Sequence, residues 1–416
     1  MKVAILGAGI AGVTTAYALA RDGHEVTVID RQPLAANETS FSNAGMVAPG
    51  HAYTWASPRA PKILLKSLWR NDTALRFKFS ADPRLYIWSW RFLRECNAQS
   101  AARNTGNKLR LCLFSQAQLQ ETIAATGIEY DRVTGGAVYL YRDPALFEAG
   151  VRNTKVLTDL GLKLEAVDPQ RAAAIEPALE AVKSQLAGAI YSPSDESGDC
   201  HGFANELAKI CEGLGVAFKW NTTIRHIEAS GDRIVKIVTD RGDVTADAHV
   251  LALGSHAPIE ARKIGIGLPI YPVKGYAVTL EIGGRHGAPR LSGVDEQNLI
   301  GWSRLGDRLR LTATAEFAGY DTSHKPNDFA HMLSVARGLF PGGADFDSPS
   351  CWAGLRPMTP KGTPILGQAR HRNLWFNTGL GHMGWTMSHG AARVTADLIA
   401  GRKPPVDLKG MTLADA

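Results

Sequence analysis

The chain opens with three short blocks. Residues 2–6 are one charged and four apolar residues, 11–22 are mostly small and apolar, and 25–29 form a second short apolar run beyond a polar turn. The outer runs have the length of buried strands, and the middle one is long enough for three helical turns. The expected unit is strand, helix, strand, which requires a parallel sheet with helices on its faces. Residues 3–20 carry no charge. Glycines at 7, 9 and 12 interrupt that run and a second strand follows it, so it reads as part of this unit and not as a leader or a membrane span. No later stretch has the length and apolarity of a span.

Farther along, hydrophobic spacing predicts helices over 83–104, 109–125, 144–160, 169–175, 203–213 and 328–340. Strands are expected at 136–141, 217–220 and 250–253, with a hairpin 224–229/234–239 turning at Gly231-Asp232 and a strand-rich block from 268 to 314. A last strand at 373–376 leads through a glycine-rich turn to a final helix over 390–400, ended by Gly401 and Pro404-Pro405. Residues 31–61 are irregular and rich in Ser, Asn, Gly, Pro and Ala, and loops of that length in compact domains are usually functional. The expected fold is α/β and α+β. It combines a Rossmann-like dinucleotide-binding domain, built from the discontinuous segments 1–80, 190–262 and 350–416, with a second domain over 81–189 and 263–349. That second domain holds a mixed antiparallel sheet and helices.

Gly7-x-Gly9-x-x-Gly12 follows the first strand and opens the first helix, and Asp30 ends the second strand. Gly7 permits the tight turn, Gly9 lets backbone approach a pyrophosphate, and Gly12 lets the helix pack on the strand. Gly9, Ile10, Ala11 and Gly12 then offer helix N-terminal N–H groups to phosphate. Asp30 is suited to a ribose hydroxyl, with Arg31 beside it. Thr223, Ile224, Ala252 and Gly254, at neighbouring strand ends, are expected at the adenine half. The turn alone does not choose between NAD and FAD. Two small-residue segments speak for a flat ring system: 39–46, including Ser40, Asn43, Ala44, Gly45 and Met46, and 379–387, including Gly381, Met383, Gly384, Trp385 and Thr386. A helix starting in the second can aim its positive end at a ring edge that gains negative charge on reduction.

Composition narrows the class. A chain of 416 residues exceeds one ordinary core. With 45% hydrophobic and 21% charged residues it suits a globular protein. A net charge of +6 without dense Lys/Arg runs argues against nucleic acid. The five cysteines are odd in number, widely spaced and without C-x-x-C, which argues against a disulfide framework or a zinc site and for a reducing, cytoplasmic setting.

Several segments together resemble a known family: Glu38-Thr39-Ser40-Phe41-Ser42-Asn43-Ala44-Gly45, Asp195-Glu196-Ser197-Gly198-Asp199-Cys200, Pro272-Val273-Lys274-Gly275-Tyr276, Ala315-Glu316-Phe317-Ala318-Gly319-Tyr320-Asp321, Gly354-Leu355-Arg356-Pro357-Met358-Thr359-Pro360 and Gly384-Trp385-Thr386-Met387. The chain is similar to the FAD-dependent amino-acid oxidoreductases, the family of bacterial D-amino-acid dehydrogenase small subunits, glycine oxidase and sarcosine oxidase. The resemblance implies FAD as cofactor and a substrate domain whose sheet covers the flavin. It implies hydride transfer from the Cα of a D-amino acid, with an imino acid that hydrolyses to a 2-oxo acid and ammonia. A quinone or respiratory acceptor, often met at the inner face of the cytoplasmic membrane, is implied as well. His382-Met383 and His389 depart from the family pattern beside the ring. They leave D-proline or hydroxy-D-proline dehydrogenation, and a glycine- or sarcosine-type oxidase using oxygen, as alternatives.

Arg356 is the expected carboxylate anchor, because a planar guanidinium matches a carboxylate with two hydrogen bonds and Pro357 and Pro360 stiffen its segment. Tyr276 and Tyr320 are candidates to donate hydroxyls to the same carboxylate or to wall the pocket. His51 and His382 are candidates to line the flavin.

Overall fold

The computed structural model describes residues 1–67, 75–78 and 81–416. The expected domain boundary at residue 80 lies outside the described residues. Two large sheets organise the chain. The first has six strands in the spatial order Ile365–Gln368, Leu374–Thr378, Ala248–Leu251, Lys2–Leu6, Glu25–Ile29, Ala217–Lys219. All neighbours are parallel except the first pair. The strand Lys2–Leu6 is buried on both sides. Val3 and Ile5 join one apolar cluster, with Val13 and Leu19 of the helix Ile10–Arg21 and Phe203 of the helix Cys200–Gly213. Ala4 and Leu6 join another, with Ile227, Ile234 and Ile237 of the hairpin beneath. A strand covered on both faces has to be continuously apolar, which is what the opening run is. Burial of each larger aliphatic side chain among them contributes about 1.5–3 kcal/mol.

The second sheet is mixed. Its main path runs Ser350–Met358, Tyr271–Glu281, Arg308–Phe317, Ile300–Leu305, Ser292–Asp295, Ala137–Tyr141, Gly188–Ser192, Glu165–Val167, and Leu75–Phe77 pairs beside Ala315–Phe317. One face packs on the helix Ala330–Leu339 through Val278, Leu280, Trp302, Leu311 and Phe340. The other face turns towards the first sheet.

The structure moves several expected boundaries. Ser350–Met358 pairs along its whole length with Tyr271–Glu281, so the chain returns to the first sheet after Met358 and not at residue 350. Gly188–Ser192 belongs to the second sheet as well. The helices expected over 83–104 and 109–125 are Pro83–Glu95 and one 29-residue helix, Ala98–Thr126. Asn97 makes the break, since its Oδ1 accepts the N–H of Ser100 at 2.9 Å. Replacing Asn97 with alanine is expected to cost about 1 kcal/mol, read as a lower urea midpoint at unchanged m.

The final helix is Gly384–Ile399 and starts six residues ahead of the expected 390. Met387, Ala391 and Val394 pack it against Leu109 and Cys112 of the long helix. That packing holds Gly384 and Trp385 helical despite the poor local propensity of glycine. Among the described residues, no helix is long and apolar enough to cross a membrane.

Candidate active site

A cleft of about 370 Å³ runs past the carboxyl ends of Lys2–Leu6, Glu25–Ile29 and Ala248–Leu251. Gly7 has φ +105°, and a Cβ there would come within 2.7 Å of the Ala252 carbonyl oxygen. A Cβ on Gly12 would overlap the carbonyl oxygen of Gly7. Gly9 is the N-cap of the first helix and has no side chain to cap it, and the helix end faces the cleft. Ile10 and Ala11 line the same place, and the Ile10 N–H donates to Ser40 Oγ at 3.2 Å. Thr223, Ile224, Ala252 and Gly254, the candidates for the adenine half, line the same cleft.

Asp30 and Arg31 also line the cleft, already partnered. Asp30 accepts the N–H of Ala8 at 2.6 Å and that of Gln32 at 2.8 Å, and burial raises its pKa against those two bonds. Its carboxylate therefore braces the glycine turn first, and each oxygen keeps a lone pair for a hydroxyl. Arg31 donates to Glu38 at 2.5 Å. Glu38, which sequence reasoning did not single out, completes that wall.

The cleft opens into a cavity of about 1230 Å³, and Ile10, Ser40, Gly381 and Gly384 line both. Asn43, Ala44, Gly45 and Met46 form one wall of the cavity and Met383, Trp385 and Thr386 another. Thr386 Oγ1 accepts the N–H of Ala48 at 3.2 Å and so joins the two walls. A Cβ on Gly45 would come within 3.0 Å of the Gly198 carbonyl oxygen. The final helix points its N-terminus at this junction with no side chain capping it. Among the described residues, Trp385 Nε1 and His382 Nε2 are buried without a hydrogen-bond partner. Open helix ends at both places, with an orphaned indole N–H and an orphaned imidazole nitrogen nearby, suit a long ligand with phosphates at one end and a polar ring edge at the other.

Arg356 projects into the cavity from the strand Ser350–Met358. Its guanidinium lies over Gly275, where a Cβ would run into it, and 5.9 Å from the Trp55 ring. Nη1 donates to the Thr314 carbonyl at 2.7 Å, and among the described residues no carboxylate pairs with it. Thr314 holds φ +62°, a conformation β-branched residues rarely adopt, at the bulge where Arg308–Phe317 slips its register against Tyr271–Glu281. The bulge thus lies where Thr314 meets Arg356. Burial alone pulls the pKa of Arg356 down to about 10, which leaves it a cation at neutral pH.

His382 stacks on Trp55 with centroids 4.9 Å apart. Burial, with Lys108, His51 and Arg356 near, holds its pKa well below the ordinary value, so its ring is neutral. His51 lines the cavity and bonds Glu296 through Nε2 at 2.7 Å. Tyr276 also lines the cavity, the wall position open to it from the sequence, but its hydroxyl is placed otherwise. It pairs with Ala353, out of phase with Arg356, so the pleat sends its ring to the far face of the sheet, where it packs on Phe329. There its hydroxyl donates to Glu316 at 2.5 Å, which rules out a bond to a carboxylate held by Arg356. Tyr320 lines neither cavity and donates to the Ser255 carbonyl at 2.9 Å, because its segment leaves the sheet beyond Phe317. Lys274 is fully buried, near Glu316 and Asp321.

Sequence reasoning missed Trp55, Lys108 and Glu296. Trp55 sits in an irregular loop with no motif around it. Lys108 looks like a surface position of a long helix. It is fully buried, donates to the Tyr53 carbonyl at 2.5 Å, and burial pulls its pKa down to about 8.

A model of the FAD-dependent oxidoreductase family, DAO, matches residues 2–398. The chain is 45% identical over 412 residues to D-amino acid dehydrogenase 2 of Mesorhizobium japonicum, covering 99% of both. It is 46% identical over 412 residues to a D-amino acid dehydrogenase of Paramagnetospirillum magneticum, covering 99% of this chain and 98% of that one. Among solved structures, glycine oxidase from Geobacillus kaustophilus shares the fold with a TM-score of 0.75 at 22% identity, covering 99% of this chain and 97% of that one. L-proline dehydrogenase from P. horikoshii does so with 0.75 at 17%, covering 99% and 98%. The glycine cradle, the two open helix ends and the orphaned indole N–H fit FAD laid along the cleft and into the cavity. The chain belongs to the DAO family of FAD-dependent oxidoreductases.

Proposed function

We infer that this protein oxidises D-amino acids to imino acids, which hydrolyse to 2-oxo acids and ammonia, and passes the electrons to a quinone or another respiratory acceptor. The observation that carries this reading is Arg356, a buried cation that faces the cavity with one carbonyl partner and no counter-charge among the described residues. An unpaired buried guanidinium is costly unless an anion completes it, and the α-carboxylate of an amino acid matches its fork. FAD, when bound, accepts the hydride from Cα. The protein's own part is to fix the carboxylate at Arg356, to wall the site with Trp55 and neutral His382, and to keep water from the reacting carbon.

The reading of a lipophilic acceptor is supported by the far end of the cavity. Ile63, Leu65, Trp88 and Phe92 line it, and Tyr86, Ile87 and Trp90 stand exposed on the adjoining helix beside Arg91 and Arg94. We read that helix as the part that meets the membrane surface, where arginines and amphipathic aromatics favour an anionic interface.

Anaerobic mixing with a panel of D- and L-amino acids, including D-proline and hydroxy-D-proline, tests the substrate. Bleaching of the flavin by D-isomers is expected, and bleaching confined to L-isomers, glycine or sarcosine would replace the reading. Turnover with a quinone that greatly exceeds peroxide formation in air is the expected acceptor result.

A further inference from the structure

The cavity holds a histidine–carboxylate pair that nothing above employs. His51 Nε2 lies 2.7 Å from Glu296 Oε1, and among the described residues this is the only hydrogen bond of the ring. The pair is built with care from three directions. The Gly50 N–H donates to Asp195 Oδ1 at 2.9 Å, and a Cβ on Gly50 would strike that same carboxylate. The His51 ring stacks on Tyr139 with centroids 5.0 Å apart, and the Tyr139 hydroxyl donates to the other oxygen of Asp195. Asp195 thereby fixes both the backbone under His51 and the ring against it. On the opposite side Glu296 is set by its own N–H, which donates to the Leu140 carbonyl at 3.0 Å on the strand that carries Tyr139. Both His51 and Glu296 line the cavity that holds Arg356.

We propose that His51, held by Glu296, is the catalytic base that takes the proton from the substrate's ammonium group before oxidation. The proposal rests on the reading that an amino acid is the substrate. At neutral pH an amino acid carries an ammonium, which has no lone pair, and an imine forms only when the nitrogen can supply one. With Glu296 accepting from Nε2–H, the basic lone pair of the ring is on Nδ1. Nδ1 takes one proton from the ammonium. The freed nitrogen pair then forms the second C–N bond as the hydrogen on Cα leaves with its two electrons for bound FAD, and the product departs as an iminium ion. Its positive charge equals that of the ammonium, less one proton held by His51 and one hydride transferred, so charge and electrons balance.

The surroundings decide the pH range. Lys108 on the long helix, Asp195 and Glu296 on loops, His382 at the turn before the final helix, and the phenols of Tyr53 and Tyr139 surround His51. Burial and Lys108 work against a charged imidazole, but Glu296 and Asp195 outweigh them and raise its pKa. The base form is therefore present above that raised value and is lost as pH falls through it.

The test follows anaerobic flavin bleaching by excess D-amino acid across pH, with flavin content as the control for folding. In H51Q the rate near neutral pH should drop at least tenfold, the lower end of what positioned acid–base groups supply. At a pH above the ammonium's own pKa the free amine needs no base, and H51Q should come within twofold of the unaltered enzyme. In E296Q the acid limb of the profile should shift to lower pH. The His51 ring signal in histidine-labelled protein should titrate with a lower midpoint in E296Q, a readout independent of turnover. H51Q that is fast near neutral pH, or equally slow at every pH, would overturn the assignment, as would an E296Q midpoint that stays in place. If no amino acid bleaches the flavin of the unaltered protein at any pH, the substrate reading itself falls.

Discussion

Arg356→Ala will leave a protein that holds FAD and folds normally but loses its hold on substrate. Removing one partner of a buried charged hydrogen-bonded contact costs about 2–5 kcal/mol, or roughly thirty-fold to several thousand-fold in kcat/KM. The loss should fall mainly on KM, since the carboxylate keeps its charge and its bonds through the transfer and is held alike in the ground and transition states. Stability should hardly move. The substitution removes a cation buried without a counter-charge, which is a gain, and orphans the Thr314 carbonyl, which costs about 1–3 kcal/mol. Arg356→Lys retains a point charge but not the fork and should recover only part of the affinity. Steady-state kinetics beside flavin absorbance and a thermal melt separate these effects. A KM within threefold of the unaltered enzyme would remove Arg356 from the carboxylate site.

Gly12→Ala will abolish FAD binding, and the purified protein will be colourless. On helix propensity alone the change should help by about 1 kcal/mol. Sterics decide against it, because the new methyl would overlap the Gly7 carbonyl, backbone that cannot step aside without moving the turn. Overpacking of this kind costs about 1–3 kcal/mol or more, and here it displaces the N–H groups that would meet the phosphates of FAD. Gly213→Ala is the matched control, at a helical glycine with open space around its Cβ position and outside both cavities. Flavin-to-protein absorbance ratios read both variants. A yellow Gly12→Ala protein with an unchanged unfolding midpoint would refute the packing argument.

The two predictions draw on different levels of information. Gly7, Gly9 and Gly12 can be read from the chain because their function is local: strand, turn and helix lie within a few residues, and the spacing encodes the geometry. Arg356 was legible through a motif, but its solitude was not. That it faces the cavity with no carboxylate paired to it among the described residues follows from Gly275 beneath it and from the bulge at Thr314, on two other strands. Tyr276 and Tyr320 show the reverse. Both stand in motifs near the site, and the pleat of one strand and the exit of another carry their hydroxyls elsewhere.

By itself the sequence determined the parallel strand–helix–strand start, the second sheet, the glycine turn that opens the first helix and Arg356 as the candidate for a carboxylate, because each rests on period, spacing or one side chain's chemistry. Only the tertiary structure decided which charges stand alone and which are paired. Lys108 and His382 come close to His51 because a long helix, a loop and the turn before the last helix converge there, and Glu296 reaches His51 from 245 residues away. Such contacts leave no periodic trace in the chain. They arise when the two sheets close over one another, and the burial that follows is what perturbs these groups and gives the site its chemistry.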